Sequence, residues 1–288
     1  MNSVYYCIPE MNIKIDYEVC TRCGLCSRVC GSRRIIIDDD NRPVKLIEAG
    51  CNDCGQCIAI CPANAIINTR TDMREYTEMV DPGITFEQFS HLVRNRRSIR
   101  NYRKEPLKQE HIDKLMEVAR YIPTGSNKQA LKYKFITDRE LLPKIATSMA
   151  SKMRIALRLS ESFPVKLFMK KKKSSAGRLV DLFYNEGIDT FLRGAPCLLI
   201  IYTEEKYFRI PQWDAGIASS TIDLTAQTLG IGTLMNGYFV ELVNRFKSIK
   251  KLVQLNSKQS VLTAICLGYP AVRYKKTVYR RPLDVKVL

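Results

Sequence analysis

Cys20-Thr-Arg-Cys23-Gly-Leu-Cys26-Ser-Arg-Val-Cys30 and Cys51-Asn-Asp-Cys54-Gly-Gln-Cys57-Ile-Ala-Ile-Cys61-Pro62 decide how the N-terminal part of the chain folds. Each run places cysteines at i, i+3 and i+6, with a fourth four residues later. A cubane iron–sulfur cluster needs four soft thiolates in a tetrahedral array. A tight loop in which every third residue points inward supplies three of them, and the fourth comes from elsewhere. A pair of zinc sites is the competing reading, because C-x2-C is also a zinc signature. Zinc rarely requires three cysteines at this spacing with a fourth beyond them, twice over. The pattern points to two 4Fe–4S clusters. Gly24 and Gly55, lying between ligands, let backbone N–H groups approach cluster sulfur.

Outward from these runs, eight of the eleven cysteines lie within residues 20–61, leaving Cys7, Cys197 and Cys266. Such clustering fits metal ligation in a reducing compartment better than a disulfide framework. At 45% hydrophobic and 26% charged residues the composition is that of a globular protein. The longest apolar run, Ala195–Tyr202, has the length of a buried strand and falls far short of the ~18–20 residues that cross a bilayer. The start of the chain lacks the basic and apolar segments of a signal peptide. A soluble, cytoplasmic protein without stable membrane insertion is expected. Net charge is +17, unevenly spread: residues 1–75 carry nine basic and ten acidic residues, and the remaining residues carry +18. Two modules are expected, 1–75 and 76–288.

Residues 11–70 resemble the bacterial-type two-cluster ferredoxin domain, down to Pro62-Ala63-x-Ala65-Ile66 after the second run. Gly31 stands where that motif has proline. In such domains the fourth cysteine of each run serves the other cluster. The resemblance therefore implies one cluster on Cys20, Cys23, Cys26 and Cys61, and a second on Cys51, Cys54, Cys57 and Cys30. Between the runs, Arg34–Ile37 and Pro43–Ile47 read as a hairpin with an acidic tip at Asp38–Asn41.

Beyond Asp81-Pro82-Gly83, Thr85-Phe-Glu-Gln88 has the capping-box form, and Phe86, Phe89, Leu92 and Val93 follow on one helical face. A second helix is expected over Lys108–Ile122. Strands are expected at Tyr133–Thr137, Cys197–Thr203, Gly232–Phe239 and Val261–Gly268, and the longest helix at Asp214–Leu229. This alternation indicates an α+β or α/β sandwich. There is no Walker A sequence, and Gly230-x-Gly232 has Met235 at the third glycine position, so no dinucleotide fingerprint is present.

Arg96-Arg97-Ser98-Ile99-Arg100 gathers three guanidiniums and a hydroxyl within five residues, a set suited to clamping a phosphate. Pro123-Thr124-Gly125-Ser126-Asn127-Lys128-Gln129 is a loop of small and amide residues, and Arg280-Arg281-Pro282 adds a second arginine pair. Together these resemble the nitroreductase family of FMN enzymes over residues 86–288. The resemblance implies that Arg96, Arg97, Ser98 and Arg100 bind flavin phosphate and ring oxygens. It implies that Pro123, Thr124, Ser126, Asn127 and Gln129 contact the flavin of the partner subunit in a homodimer. It also implies that the backbone at Asn236 and Gly237 lies against the flavin, and that Arg280 and Arg281 bind its phosphate. Ala130 stands where proline usually follows that glutamine. The expected fold class is α+β: a ferredoxin-like two-cluster module followed by an FMN-dependent nitroreductase-type sandwich.

The segment 148–178 holds nine Lys/Arg and one acid, including Lys170–Lys173, with Met153, Ile155, Leu157, Leu159, Phe163, Leu167, Phe168 and Met169 among them. The resemblance makes it a variable cover over the flavin. Its lysine run reads first as a solvated face and second as a lure for an acidic redox partner or anionic substrate. Single-strand nucleic-acid binding is not expected, since the interleaved aromatic pattern is missing. His91 and His111 read as inert helix-surface residues, Cys197 and Cys266 as core, and Trp213 as an interface residue; Cys7 has no assigned role. The function that follows is an iron–sulfur flavoprotein oxidoreductase without an assigned catalytic side chain. Two 4Fe–4S clusters and FMN would pass electrons to a small acceptor such as a nitro compound or quinone, from a donor such as ferredoxin or NAD(P)H. The alternatives are an NAD(P)H-driven flavin reductase using the clusters as its outlet, and a non-catalytic electron carrier.

Overall fold

The computed structural model describes residues 12–40, 43–45, 51–160, 175–204 and 211–288. Cys7, the tip residue Asn41, Phe163, Leu167–Met169 and the lysine run Lys170–Lys173 lie outside them. The chain divides into two compact units, one of Met1–Gly83 with Ser126–Lys128, the other of Ile84–Gly125 with Gln129–Leu288.

The first unit is a duplicated structure. Each position of the second cysteine run lies 31 residues after its counterpart (51 − 20, 61 − 30). The backbone repeats with the same offset. Arg22, Gly24 and Arg33 take positive φ, and so do Asp53, Gly55 and Asn64. Gly24 and Gly55, both at φ 73°, start two short helices, α1 (Leu25–Val29) and α2 (Gln56–Ala59). Strands β1 (Ile13–Ile15) and β4 (Ile66–Asn68) pair antiparallel with Ile13 opposite Asn68, and β2 (Ile35–Ile37) pairs with β3 (Pro43–Lys45). Ile13, Cys26, Ile35, Ile58 and Ile66 form its small core. So few apolar side chains leave little hydrophobic stabilisation, and a domain of this size depends on bound groups for the remainder.

The second unit is built on an antiparallel sheet of order β5 (Lys132–Ile136), β6 (Cys197–Thr203), β8 (Ser260–Gly268), β7 (Gly232–Met235). Strand β6 is fully buried from Cys197 to Ile201, and its side chains alternate between two cores, as the two-residue period of a strand requires. Cys197, Leu199 and Ile201 face α4 (Gln109–Ala119) and α7 (Pro211–Thr228) through Leu115, Ala218 and Ile222. Leu198 and Ile200 join the core that contains residues of α5 (Leu141–Ser160), α6 (Ser175–Asn185), α8 (Gly237–Arg245) and α9 (Lys247–Leu252). The result is an α+β sandwich of helix, sheet and helix layers.

Two sequence expectations are corrected here. The longest described helix is α5, with 20 residues, not the helix at 214–229. It runs through the start of the 148–178 segment because Leu142, Ile145, Ala146, Met149, Ala150 and Met153 make one continuous buried stripe. Asp138 opens it by accepting from the backbone N–H groups of Glu140 and Leu141 at 2.8 and 3.1 Å, which also lower its carboxyl pKa. The strand expected over 232–239 stops at Met235: the Asn236 side chain accepts from Phe239 N at 3.0 Å and starts α8, whose buried face is Phe239, Leu242 and Val243. The first helix of this unit, α3 (Phe86–Asn95), carries the full capping box between Thr85 and Gln88. Its apolar face, however, is uncovered in the single chain, with Phe86 79% and Phe89 50% exposed.

Candidate functional site

The cysteines gather around two voids. One, of about 470 Å³, is lined by Cys30, Cys51, Cys54 and Cys57; a smaller one is lined by Cys20, Cys23, Cys26 and Cys61. Each void thus takes three sulfurs from one run and the fourth from the other. A single zinc would require the sulfurs about 2.3 Å from one point. Among the described residues, no three Cys, His, Asp or Glu side chains are arranged to hold one metal ion. Four thiols standing around a space suit a multi-atom cluster.

Backbone N–H groups aim at these sulfurs in the repeated geometry: Arg34 N to Cys30 Sγ at 3.1 Å, and Ala65 N to Cys61 Sγ at 3.3 Å. Arg22 N approaches Cys20 Sγ at 3.4 Å. Burial pushes the Cys57 thiol up to about 11 and also raises Cys26. Burial acts on Cys30 as well, but hydrogen bonds from Arg34, Ile35 and Ser32 outweigh it and bring that thiol below its ordinary value. Beside the larger void, Asp53 is held by the Asn12 side-chain amide, by Asn68 Nδ2 at 3.0 Å and by Arg70 Nη1 at 3.1 Å. Asn127, from the loop 126–128 that belongs to this unit, donates to the carbonyls of Asn52 and Asp53 at 3.0 and 3.1 Å.

In the second unit the arginine segment is laid along the sheet edge. Ser98 bridges to Thr233 and Tyr102 to Pro270, and Ile99 N donates to Thr233 O at 2.8 Å. Gly232 and Gly268 make this approach possible: a Cβ at Gly232 would lie 2.6 Å from Ile99 Cγ1, and one at Gly268 would lie 2.8 Å from Tyr102 Cδ1. The segment opens into a cavity of about 1090 Å³ lined by Arg96, Arg97, Asp223, Thr233 and the stretch Pro270–Thr277.

Arg97 is fixed through Nη1 to the carbonyls of Arg94 and Arg96 at 2.8 and 2.7 Å, and through Nη2 to Lys276 O at 3.1 Å. Its Nε is buried without a hydrogen-bond partner among the described residues. A buried donor left open in a cationic cavity fits a phosphate oxygen. Arg96 Nε stands 3.6 Å from Asp223 Oδ2, and the Thr233 hydroxyl donates to Asp223 Oδ1. Burial raises the Asp223 carboxyl, with Thr233 and then Arg96 pulling against it. The sequence reading missed Asp223, Arg273, Lys275 and Lys276; their place on this wall follows from chain packing, which no local motif signals.

The other expected residues lie apart from this cavity. Arg100 donates to Ser98 O at 3.4 Å. Ser126, Asn127 and Gln129 sit in the left-handed region, and Gln129 N donates to Thr124 Oγ1 at 3.1 Å. Pro123 and Thr124 are not among the residues that line the Arg96 cavity. Asn236 is 5% exposed and donates to Phe191 O at 2.8 Å while capping α8, so its side chain is occupied structurally, with Gly237 as first helical residue. Arg280 and Arg281 are exposed in the extended C-terminal segment and do not reach the wall that Arg273, Lys275 and Lys276 occupy.

Comparison with known proteins follows this division. Residues 93–269 match the nitroreductase family, and residues 12–62 match the 4Fe-4S dicluster domain. A protein of Archaeoglobus fulgidus, provisionally named NADH dehydrogenase/NAD(P)H nitroreductase, is 24% identical over 188 residues, covering 64% of this chain and 86% of its own. The 4-nitrobenzoate reductase of Pseudomonas putida is 25% identical over 203 residues, covering 64% and 86% respectively. Among solved structures, a nitroreductase with bound FMN from Desulfitobacterium hafniense DCB-2 superposes with a TM-score of 0.53 at 20% identity, covering 70% of this chain and 100% of that one. With a family match spanning well over half of its length, the chain belongs to the nitroreductase family, and its N-terminal unit matches a 4Fe-4S dicluster domain.

Proposed function

We propose that this chain is an iron–sulfur flavoprotein oxidoreductase. In this reading electrons pass between two 4Fe–4S clusters and FMN and leave to a small acceptor such as a nitro compound or quinone. The observation that carries it is the presence, in one chain of the nitroreductase family, of two voids each walled by four cysteines. Cys20, Cys23, Cys26 and Cys61 would hold one cluster, and Cys30, Cys51, Cys54 and Cys57 the other. Arg96 and Arg97 would hold FMN in the cavity they line, with Ser98 and Arg100 on the same segment, and the loop Pro123–Gln129 would serve a second copy.

When bound, FMN supplies two-electron chemistry that can be delivered singly, and each cluster carries one electron. The chain's own part is electrostatic. Arg96 and Arg97 place positive charge and an open N–H donor where an anionic group would sit, and the N–H groups of Arg34 and Ala65 offset thiolate charge. Protons come from solvent.

A homodimer is part of the proposal. Phe86, Phe89, Val93, Trp213 and Leu283 are exposed apolar side chains on one chain, and Trp213 is 68% exposed. The reducing chemistry of eight clustered thiols favours a cytoplasmic setting. Among the described residues no helix is long and apolar enough to cross a membrane.

A second reading has a specific support: relatives bear names that include NAD(P)H, among them the FMN reductase of Bacillus subtilis, 27% identical over 186 residues. In it NAD(P)H is the donor and the clusters are the outlet. Anaerobic purification with iron, sulfide and flavin quantitation tests the cofactor set, and protein without flavin refutes the enzyme. Stopped-flow reduction by NAD(P)H against reduced ferredoxin then separates the donors. Fast reduction by NAD(P)H alone overturns a ferredoxin-fed direction.

A further inference from the structure

The 31-residue duplication allows the two cysteine-lined voids to be compared position by position. The void of Cys20, Cys23, Cys26 and Cys61 is otherwise walled by Thr21, Gly24, Leu25, Pro43, Ala65 and Ile66, none of them charged. The void of Cys30, Cys51, Cys54 and Cys57 has Ser32, Arg34, Asn52, Asp53 and Gln56 in its wall. The duplication has therefore kept the ligands and changed their surroundings. The largest change is at one position: Arg34 stands where the second copy has Ala65 (34 + 31).

Arg34 lines this void. Its backbone N–H donates to Cys30 Sγ at 3.1 Å, and its side-chain Nε is buried without a hydrogen-bond partner among the described residues. The backbone contact is matched in the other copy by Ala65 N to Cys61 Sγ at 3.3 Å, but Ser32, which faces Cys30 Sγ at 3.8 Å, corresponds to Ala63, so that polar contact to sulfur is one-sided, as is the Arg34 side chain.

We propose that Arg34 sets the two clusters apart in reduction potential, so that the cluster on Cys30, Cys51, Cys54 and Cys57 takes the first electron. The inference rests on the cluster assignment proposed above. A cluster becomes more negative on reduction. A fixed positive charge and additional N–H and O–H donors at its edge stabilise the reduced form and raise its potential.

Asp53 acts in the opposite sense, but its carboxylate is already met by Arg70 Nη1 at 3.1 Å and by the amides of Asn12 and Asn68, residues only 2% and 1% exposed. Its field at the void is thereby reduced, whereas the Arg34 Nε has no such counter-group. Arg22, the counterpart of Asp53, is exposed and absent from the wall of the other void, so solvent screens its charge.

The test uses the full chain, reconstituted anaerobically, with iron and sulfide counted first. About eight of each per chain meets the assignment. A lower count in the wild-type chain sinks the two-cluster reading itself. Dithionite titration at controlled potential, followed by electron paramagnetic resonance of the reduced clusters, then reads each one-electron step; no proton moves in either. The wild-type chain is expected to show two separate steps. Arg34→Ala is expected to move the higher step to lower potential, leaving the other step in place, and Arg34→Lys is expected to restore most of the shift. If Arg34→Ala cannot hold its iron, Arg34→Gln, which keeps a side-chain N–H and removes the charge, carries the test with the same expected direction. Two unmoved steps, or movement of the lower step alone, overturn the proposal.

Discussion

Replacing Gly232 by alanine puts the positioning of the arginine segment to the test. The new Cβ would lie 2.6, 2.8 and 3.0 Å from Ile99 Cγ1, Cβ and Cγ2. Two of those distances are shorter than real Cβ contacts, and Cβ has no freedom to swing away. Ile99 is 6% exposed and anchored by its N–H to Thr233 O at 2.8 Å, so the segment Arg96–Arg100 must lift from the sheet edge. Overpacking of this kind costs about 1–3 kcal/mol, and loosening the backbone bond adds about 1 kcal/mol. The total is about 2–4 kcal/mol. In a domain of this size each kcal/mol moves Tm by about 2–4 °C, so the expected loss is about 4–16 °C by calorimetry of the full chain.

Bound flavin should fall with it, because Arg96 and Arg97 ride on the same segment. A double-mutant cycle isolates the cause. In an Ile99→Gly background all three of these atoms are gone, and Gly232→Ala should cost less than about 1 kcal/mol. An equal cost in both backgrounds, or no cost in either, would refute the reasoning.

Two other outcomes follow from the same structure. Gly55 combines φ +73° with a Cβ position 2.7 Å from Tyr76 Oη, so Gly55→Ala is expected to lose the cluster proposed on Cys30, Cys51, Cys54 and Cys57, which would leave about four of the eight irons of the proposed pair. Gly31→Ala, with open space around it and no positive φ, should keep them all; equal iron in both variants contradicts the strain argument. Asp223 has its pKa raised by burial, so the folded chain holds a proton that the unfolded chain releases. Its contribution to stability is therefore lost as pH rises from about 3.9 through the raised folded value. The Tm of Asp223→Asn relative to wild type should climb across that window, and a constant difference would count against it.

How much could be read from residues alone depends on how local the cause was. The cysteine runs, the Thr85–Gln88 capping box and the apolar strand Cys197–Thr203 each state their structure within about ten residues, and each is where the sequence placed it. Helix α5 has no counterpart in the sequence reading, because the charge at 148–178 overlies a buried stripe that runs from Leu142 to Met153. Asn236 was read inside a strand because its N-cap role shows only once Phe239 N folds back onto it. The cavity wall is the least legible part. Asp223, Thr233 and Lys276 meet Arg96 and Arg97 through tertiary packing, and Arg34 reads as one more basic residue until the duplication is laid over the two voids.

Electron exchange between the clusters and the flavin is tested most directly by comparing the wild-type chain with Cys54→Ala in anaerobic turnover. Both are driven first by an artificial flavin reductant and then by reduced ferredoxin or NAD(P)H, with cluster resonance and flavin absorbance recorded together. The expected result is that Cys54→Ala keeps turnover with the artificial reductant and loses it with the donor that enters through the clusters. Survival of both activities, with cluster signal absent, would contradict the account.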